Sequence, residues 1–189
     1  DLDMAHQLEM AVVRCPFPHA RIRSIDIAAA AAYPGVVEIL MGEDIAKISD
    51  PLTVLRPVLG APNLPYYALA VDRAVYEGHP VASVLATSRA VAEDAIELID
   101  VDYEPLPHVT DMTQTLAPDA PVLHPQCMTN NLMASKEDRL GAPEERRDAA
   151  HLVMNERFNV NMVAPLSMEP RGIVAHWRQG PGSLHVRIS

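Results

Sequence analysis

Residues 76–105, "YEGHPVASVLATSRAVAEDAIELIDVDYEP", decide the fold of this chain. Within them, residues 81–86 ("VASVLA") form an almost continuous apolar run, which is typical of a strand that is covered on both faces. Residues 99–103 alternate Ile, Val and Tyr with two aspartates, which is the period of a half-buried strand. The stretch therefore predicts two strands that flank a helix.

The intervening helix is amphipathic. Thr87 or Ser88 can cap it by accepting a hydrogen bond from an amide that lacks a partner within the helix. Its polar side carries Arg89, Glu93 and Glu97 at i, i+4 spacing, which predicts a solvated face. The opposite face is apolar and consists of Val91, Ala92, Ala95, Ile96, Leu98 and Ile99.

The sequence upstream of this unit also predicts strands and short helices. Residues 8–14, 21–26 and 36–40 are predicted as strands. The run "IAAAAAY" is predicted as a helix that Pro34-Gly35 stops, and "GEDI" as the start of another turn of helix. Residues 47–69 hold several prolines and are predicted as a loop.

Downstream, residues 110–150 are rich in Pro, Asp, Asn and charged side chains, which predicts a linker with one short helix. Strand character returns in "HLVMNERFNVNMV" (151–163), "RGIVAHW" (171–177) and "SLHVRIS" (183–189). These three segments predict a β-meander whose last strand has an unpaired edge.

Composition excludes several classes of function. The 189 residues carry 15 basic and 25 acidic side chains, a net charge of −10, which disfavours non-specific binding to nucleic acid or to anionic membranes. No run of 18 apolar residues exists, so membrane insertion is not expected. Cys15 and Cys127 lie far apart without ligand spacing, which disfavours a disulfide framework or zinc site and favours the reducing cytoplasm.

Candidate catalytic groups are few. His19, Arg21 and Arg23 could share one face of a strand and form a small cationic site, or they could pair with nearby acids on a solvated face. Glu93 and Asp94 are adjacent, and neighbours on a helix point about 100° apart, so they cannot jointly hold a proton.

The remaining candidates are single residues. His79 follows a glycine turn and is predicted to be structural, and Cys15 is predicted to be a small buried side chain. The other histidines lack metal-ligand spacing (His124, His151, His176 and His185). No phosphate-binding, dinucleotide-binding or nucleophile-elbow motif is present. We therefore predict that no residue of this chain is catalytic, binds a cofactor or binds a metal.

A series of segments in a fixed order carries a family resemblance. "VVRCPFPHARIRSID" (12–26), "PGVVEILMGEDI" (34–45), residues 69–109, "APVLHP" (120–125) and "SMEPRGIVAHW" (167–177) resemble the large subunits of molybdenum hydroxylases. That family includes xanthine dehydrogenase, aldehyde oxidase and aerobic CO dehydrogenase. The resemblance covers essentially the whole chain.

The resemblance implies an α+β fold. Residues 1–109 are expected to form the aldehyde oxidase/xanthine dehydrogenase a/b hammerhead domain, and 110–150 a linker. Residues 151–189 are expected to be the first strands of the molybdopterin-binding domain, which is incomplete here.

The resemblance also implies a function. In this family a molybdenum ion held by molybdopterin hydroxylates an aldehyde, purine or N-heterocycle, or oxidises CO, and iron–sulfur clusters pass the electrons to FAD. The expected cofactor of the complete enzyme is molybdopterin cytosine dinucleotide with molybdenum, and none is expected on this chain alone. The expected partners are the remainder of the molybdopterin-binding subunit and separate iron–sulfur and FAD subunits.

The chain departs from the family pattern at two places. Cys15-Pro16 and Phe17-Pro18 precede His19 where the family has Ser before Pro-His, and Ser167 stands where it commonly has Pro. In the segment Met168 to Arg171, Glu169 and Arg171 are expected to form a structural ion pair.

Two hypotheses remain open from the sequence. In the first, the chain is an N-terminal portion of a catalytic subunit, inactive by itself, because Asp1 is not an initiator Met and both ends fall within family patterns. In the second, the chain is a stand-alone, non-catalytic scaffold or assembly subunit that docks onto other molybdenum hydroxylase chains through an apolar edge near residues 183–189.

Overall fold

A computed structural model describes residues 4–52, 61–62, 64–160, 168 and 171–189 of the chain. The chain divides into two compact units. The first unit is His6–Ser135, and the second consists of Asp1–Ala5 together with Lys136–Ser189. In the described part, the elements are β1 (Glu9–Arg14), β2 (Ala20–Asp26), α1 (Ala28–Ala31), β3 (Val36–Met41), α2 (Gly42–Ile48), β4 (Arg73–Ala74), β5 (Pro80–Ala86), α3 (Arg89–Ile96), β6 (Asp100–Pro105), α4 (Pro143–Asp148), β7 (Ile173–Arg178) and β8 (Ser183–Ile188).

Strand β5 is the central strand of the first sheet, which has the order β1-β5-β3. Both neighbours are antiparallel to it, and Val84 lies opposite Ala11 on one side and Ile39 on the other. Alternate residues of β5 enter two different apolar clusters. Ala82 and Val84 pack in the first, and Val81 packs in the second. The expectation of a strand buried on both faces is therefore confirmed.

Helix α3 covers the first cluster. The Ser88 side chain caps it by accepting a hydrogen bond from the Val91 amide at 3.3 Å. Ala92 and Ala95 are fully buried, because only a small side chain fits between a helix and a sheet at this distance. On the solvated side, Arg89 and Glu93 form the predicted i, i+4 ion pair at 2.7 Å.

The second sheet has the order β4-β2-β6, with all pairs antiparallel. Ile22 lies opposite Tyr103, and Ile25 lies opposite Val101. Strands β5 and β6, which α3 joins, consequently belong to different sheets. Ala20 and Ala74 from this sheet join Val81 and Cys15 in the second cluster, so side chains from both sheets pack together there.

One glycine is required by a close backbone approach. A Cβ atom on Gly42, at the start of α2, would lie 2.0 Å from the carbonyl oxygen of Ala70. A side chain at this position would displace backbone rather than a flexible group. The absence of a side chain at Gly42 therefore allows the start of α2 to lie close against the segment that leads into β4.

The second unit is built differently. Helix α4 is the short helix expected between residues 110 and 150, and it begins with Pro143 in its first turn. Strands β7 and β8 form an antiparallel hairpin in which Ile173 pairs with Ile188 and Trp177 with Leu184. Both of these strands were predicted.

The strand predicted over residues 151–163 is wrong for residues 151–160. These residues form no strand and are all exposed. A strand needs a partner for its backbone groups and a buried face for its side chains, and residues 151–160 have neither within the described structure. Residues 161–163 lie outside the described residues.

No helix in the described parts of the chain is long and apolar enough to cross a membrane.

Candidate functional site

A cavity of about 300 Å³ lies in the unit His6–Ser135, between residues 65–79 and residues 123–126. Two tyrosines, Tyr66 and Tyr67, contribute to its walls. Its titratable groups include those of Arg73, His79 and His124, with Asp72 beside them, and Gln126 adds an amide. Several side chains that can donate hydrogen bonds thus line one partly apolar space.

The backbone around Gly78 places His79 at the cavity. Gly78 adopts a φ of +86°, a conformation that favours glycine. The Gly78 amide donates to the Cys15 carbonyl at 2.8 Å, and the Cys15 amide donates to the His79 carbonyl at 2.9 Å. The turn before β5 is therefore fixed to the end of β1.

The His79 ring lies in an aromatic stack. Its centroid is 4.5 Å from that of Tyr76 and 5.2 Å from that of Tyr66, with interplanar angles of 18° and 9°. Only 4% of His79 is exposed. This burial lowers the pKa of His79, because a desolvated imidazolium loses hydration, and the neutral ring is favoured.

The hydrogen bonds of His79 determine which nitrogen holds its proton. The Val75 amide donates to Nδ1 at 3.3 Å, so Nδ1 is the acceptor of the neutral ring. The proton is then on Nε2, which is buried and has no hydrogen-bond partner among the described residues. A buried donor without an acceptor costs about 1–3 kcal/mol.

His124 lines the cavity from a loop that hydrogen bonds of Asn131 stabilise. The Asn131 side chain accepts from the Leu123 amide at 3.0 Å and donates to the carbonyls of Pro121 and Thr115 at 2.9 and 3.2 Å. Burial, followed by the nearby charges of His19 and Arg73, lowers the pKa of His124. From the sequence pattern, His79 and His124 could be named only as separate candidates, and Arg73, Tyr66 and Asn131 carry no local signal that indicates the cavity.

His19, Arg21 and Arg23, for which a cationic site was one of two alternatives, do not form one site. His19 is buried, and its Nδ1 lies 2.7 Å from the Pro107 carbonyl oxygen. The Arg21 and Arg23 Nε atoms lie 3.9 and 3.4 Å from one oxygen of Glu104. The alternative reading, ion pairs with a nearby acid, is confirmed for the two arginines.

Cys15 is 1% exposed, as predicted for a small buried side chain. Burial raises the pKa of its thiol, so the thiolate that a nucleophile requires is disfavoured. Glu93 pairs with Arg89, whereas Asp94 accepts from the Tyr33 hydroxyl at 3.2 Å. These two acids do not form a proton-sharing pair.

The remaining candidates give no cluster. His151, His176 and His185 are exposed, and across the described ranges no three His, Cys, Asp or Glu side chains converge as a metal site would need. Met168 is fully exposed. The expected pair of Glu169 with Arg171, like Ser167, involves positions outside the described residues.

The side chains that line this cavity do not fit a molybdopterin cofactor. Such a group needs several donors for its phosphates and an open approach to backbone amides. The cavity instead offers aromatic and aliphatic walls, and the carboxylate of Asp72 stands among its polar side chains. No step of a molybdenum reaction is therefore assigned to these residues.

Comparison with known proteins gives consistent results. Residues 1–107 match the family model described as aldehyde oxidase and xanthine dehydrogenase, a/b hammerhead domain. The gamma subunit of the 6-hydroxypseudooxynicotine dehydrogenase complex of Paenarthrobacter nicotinovorans is 32% identical over 92% of this chain and 22% of its own. The carbon monoxide dehydrogenase large chain of Afipia carboxidovorans is 40% identical over 59% of this chain and 13% of its own.

A solved structure shows the same likeness in three dimensions. Quinoline 2-oxidoreductase from Pseudomonas putida 86 superposes with a TM-score of 0.89 at 33% identity, over 98% of this chain and 23% of that one. The chain thus spans about a fifth of the length of such relatives.

Proposed function

Since the chain belongs to the aldehyde oxidase and xanthine dehydrogenase a/b hammerhead family, we propose that residues 1–189 are a structural part of the catalytic subunit of a molybdenum-dependent oxidoreductase. In this role the segment supports the subunit and takes no part in the chemistry. The resemblance of the sequence to molybdenum hydroxylase large subunits leads to the same family.

The observation that carries the proposal is the open apolar face of the β7–β8 hairpin. Residues directly opposite in an antiparallel pair share a face. One face holds only apolar residues, in the pairs Ile173–Ile188, Ala175–Val186 and Trp177–Leu184. Apart from Ala175 these are large side chains, and all of them are exposed.

Such a face is not stable in water by itself. A lone two-stranded hairpin is marginally stable, and contiguous exposed apolar surface marks a contact site. The match with quinoline 2-oxidoreductase covers 98% of this chain but only 23% of that one. The quinoline 2-oxidoreductase chain therefore contains the matched region together with a much longer remainder. We propose that the remainder of the same polypeptide covers this face.

The cofactors belong to the remainder of the enzyme in this proposal. A molybdopterin, in its cytosine dinucleotide form, supplies the molybdenum centre that oxidises an aldehyde, purine, N-heterocycle or CO. Separate iron–sulfur and FAD subunits accept the electrons. Two free cysteines, Cys15 and Cys127, support a cytoplasmic location, where thiols stay reduced.

A pair of variants on the two faces of β8 tests this role. Leu184→Asp places a charge on the apolar face, and His185→Asp places the same charge on the opposite face. In the polypeptide purified from its source cells, Leu184→Asp should lower the molybdenum content and the oxidoreductase activity at least about tenfold, because burying an unpaired carboxylate is costly. His185→Asp should retain both.

Equal molybdenum content and activity in the two variants would contradict the proposal. Circular dichroism of both variants shows whether the chain is folded, and a loss of molybdenum in both would also count against a specific role of the apolar face.

A further inference from the structure

We propose that the cavity between residues 65–79 and 123–126 is a binding site for a carboxylate group, held by His79, Arg73 and His124. This inference concerns a site in the first unit. The second carboxylate source given below, and the polypeptide used in the test, rest on the proposed function.

The first support is the proton on Nε2 of His79. Nδ1 already accepts from the Val75 amide, so Nε2 donates, and among the described residues it finds no acceptor. With 4% of the residue exposed, bulk water does not satisfy this donor. A ligand atom with a lone pair at this position would remove the cost of the unpaired donor.

The second support is charge. Arg73 lines the cavity and forms no ion pair within 4.0 Å across the described ranges. His124 also lines it and interacts electrostatically with Arg73. The neutral ring of His124 can donate one hydrogen bond to an anion that the Arg73 guanidinium attracts. Arginine binds a carboxylate through two parallel hydrogen bonds, which matches this ligand class.

The third support is the shape and lining of the space. About 300 Å³ exceeds the share of one water molecule, about 30 Å³, roughly tenfold. Tyr66 and Tyr67 supply apolar surface beside the donors, which lowers the local dielectric and strengthens a charged hydrogen bond. Asp72, the acidic residue in the lining, is exposed and does not pair with Arg73.

The carboxylate has two possible sources, a free small carboxylate or an Asp or Glu side chain of the polypeptide outside residues 1–189. Calorimetric titration of the complete polypeptide with succinate tests the first source. Succinate should bind, and the uncharged succinamide should not. Arg73→Gln should weaken succinate binding at least about tenfold, since it removes a charge-assisted hydrogen bond.

Two further variants separate the role of the donors from a loss of structure. His79→Phe keeps an aromatic ring in the stack and removes the Nε2 proton, so it should weaken succinate binding as well. Arg89→Gln removes an exposed arginine on α3 and should leave binding unchanged.

If succinate does not bind, a crystal structure of the complete polypeptide decides the matter. A carboxylate oxygen of another segment within about 3.2 Å of His79 Nε2 supports the inference, with the polypeptide as source. Water, a backbone carbonyl or an apolar side chain in that position overturns it. Equal binding of succinate to the wild type, Arg73→Gln and His79→Phe also overturns it.

Discussion

Trp177 lies directly opposite Leu184 in the β7–β8 hairpin, and the two side chains are 58% and 60% exposed. Two neighbouring cross-strand pairs extend the same apolar surface. This relationship distinguishes the second unit from the first, where the faces of β5 are buried. This is the surface that we propose the remainder of the polypeptide covers.

Cysteine labelling gives a direct prediction for this surface. In the complete polypeptide, Leu184→Cys should react with a maleimide at least about tenfold more slowly than His185→Cys, because a packed side chain excludes the reagent. In the 189-residue chain both positions are exposed and should react at similar rates. Fast labelling of Leu184→Cys in the complete polypeptide would contradict a covered face.

A substitution in α3 tests the tight packing of the first cluster. Ala92 is fully buried, and Ala92→Leu should lower the free energy of unfolding by about 1–3 kcal/mol because the added atoms have no space. Ala90→Leu makes the same change at an exposed position of the same helix and should have little effect. Urea denaturation of the two variants measures the difference, and equal midpoints would refute this account of the packing.

The cap of α3 makes a second stability prediction. Ser88→Ala removes the acceptor of the Val91 amide and should lower the free energy of unfolding by about 1 kcal/mol. Ser88→Asp provides another good cap and should restore most of the loss. A variant series in which Ser88→Asp is as unstable as Ser88→Ala would show that the side-chain oxygen does not cap the helix.

The burial of His79 predicts a dependence of stability on pH. Its pKa is lowered in the folded state from 6.5, so the unfolded chain takes up a proton first as the pH falls. Above about pH 7 both states are neutral at this site, and stability is unaffected. Below the unfolded pKa stability should decrease, until the pH falls past the folded pKa.

His79→Phe isolates this contribution, because phenylalanine does not titrate. The variant should lose less stability than the wild type between about pH 7 and pH 5, measured by thermal unfolding. The stability of the variant should still depend on pH to some extent, because burial also lowers the pKa of His124. Identical slopes for the wild type and His79→Phe would mean that His79 is as hydrated as in the unfolded chain.

The local elements around β5 could be predicted because their signals are local. The apolar run 81–86, the Ser88 cap and the i, i+4 pair of Arg89 and Glu93 all depend on residues close in sequence. What the pattern could not show is that β5 and β6 enter different sheets. That arrangement depends on pairing with β1 and β2, which are distant in sequence.

The cavity could not be predicted for the same reason. His79 and His124 are far apart in the chain, and neither has a spacing motif. They line one space because the backbone around Gly78 is bonded to Cys15 and because Asn131 braces the loop of Leu123. Residues 151–160 give the opposite case. Their local pattern predicts a strand, but no strand forms there, because a strand also needs a pairing partner that the local sequence does not supply.

The central claim is that these residues are part of a larger catalytic subunit. The most direct test is the mass of the native polypeptide in source cells, detected through the peptide of residues 90–136. A mass several times 20.6 kDa, in a protein that contains molybdenum, is the predicted result. A mass close to 20.6 kDa would contradict the claim and would identify a separate subunit.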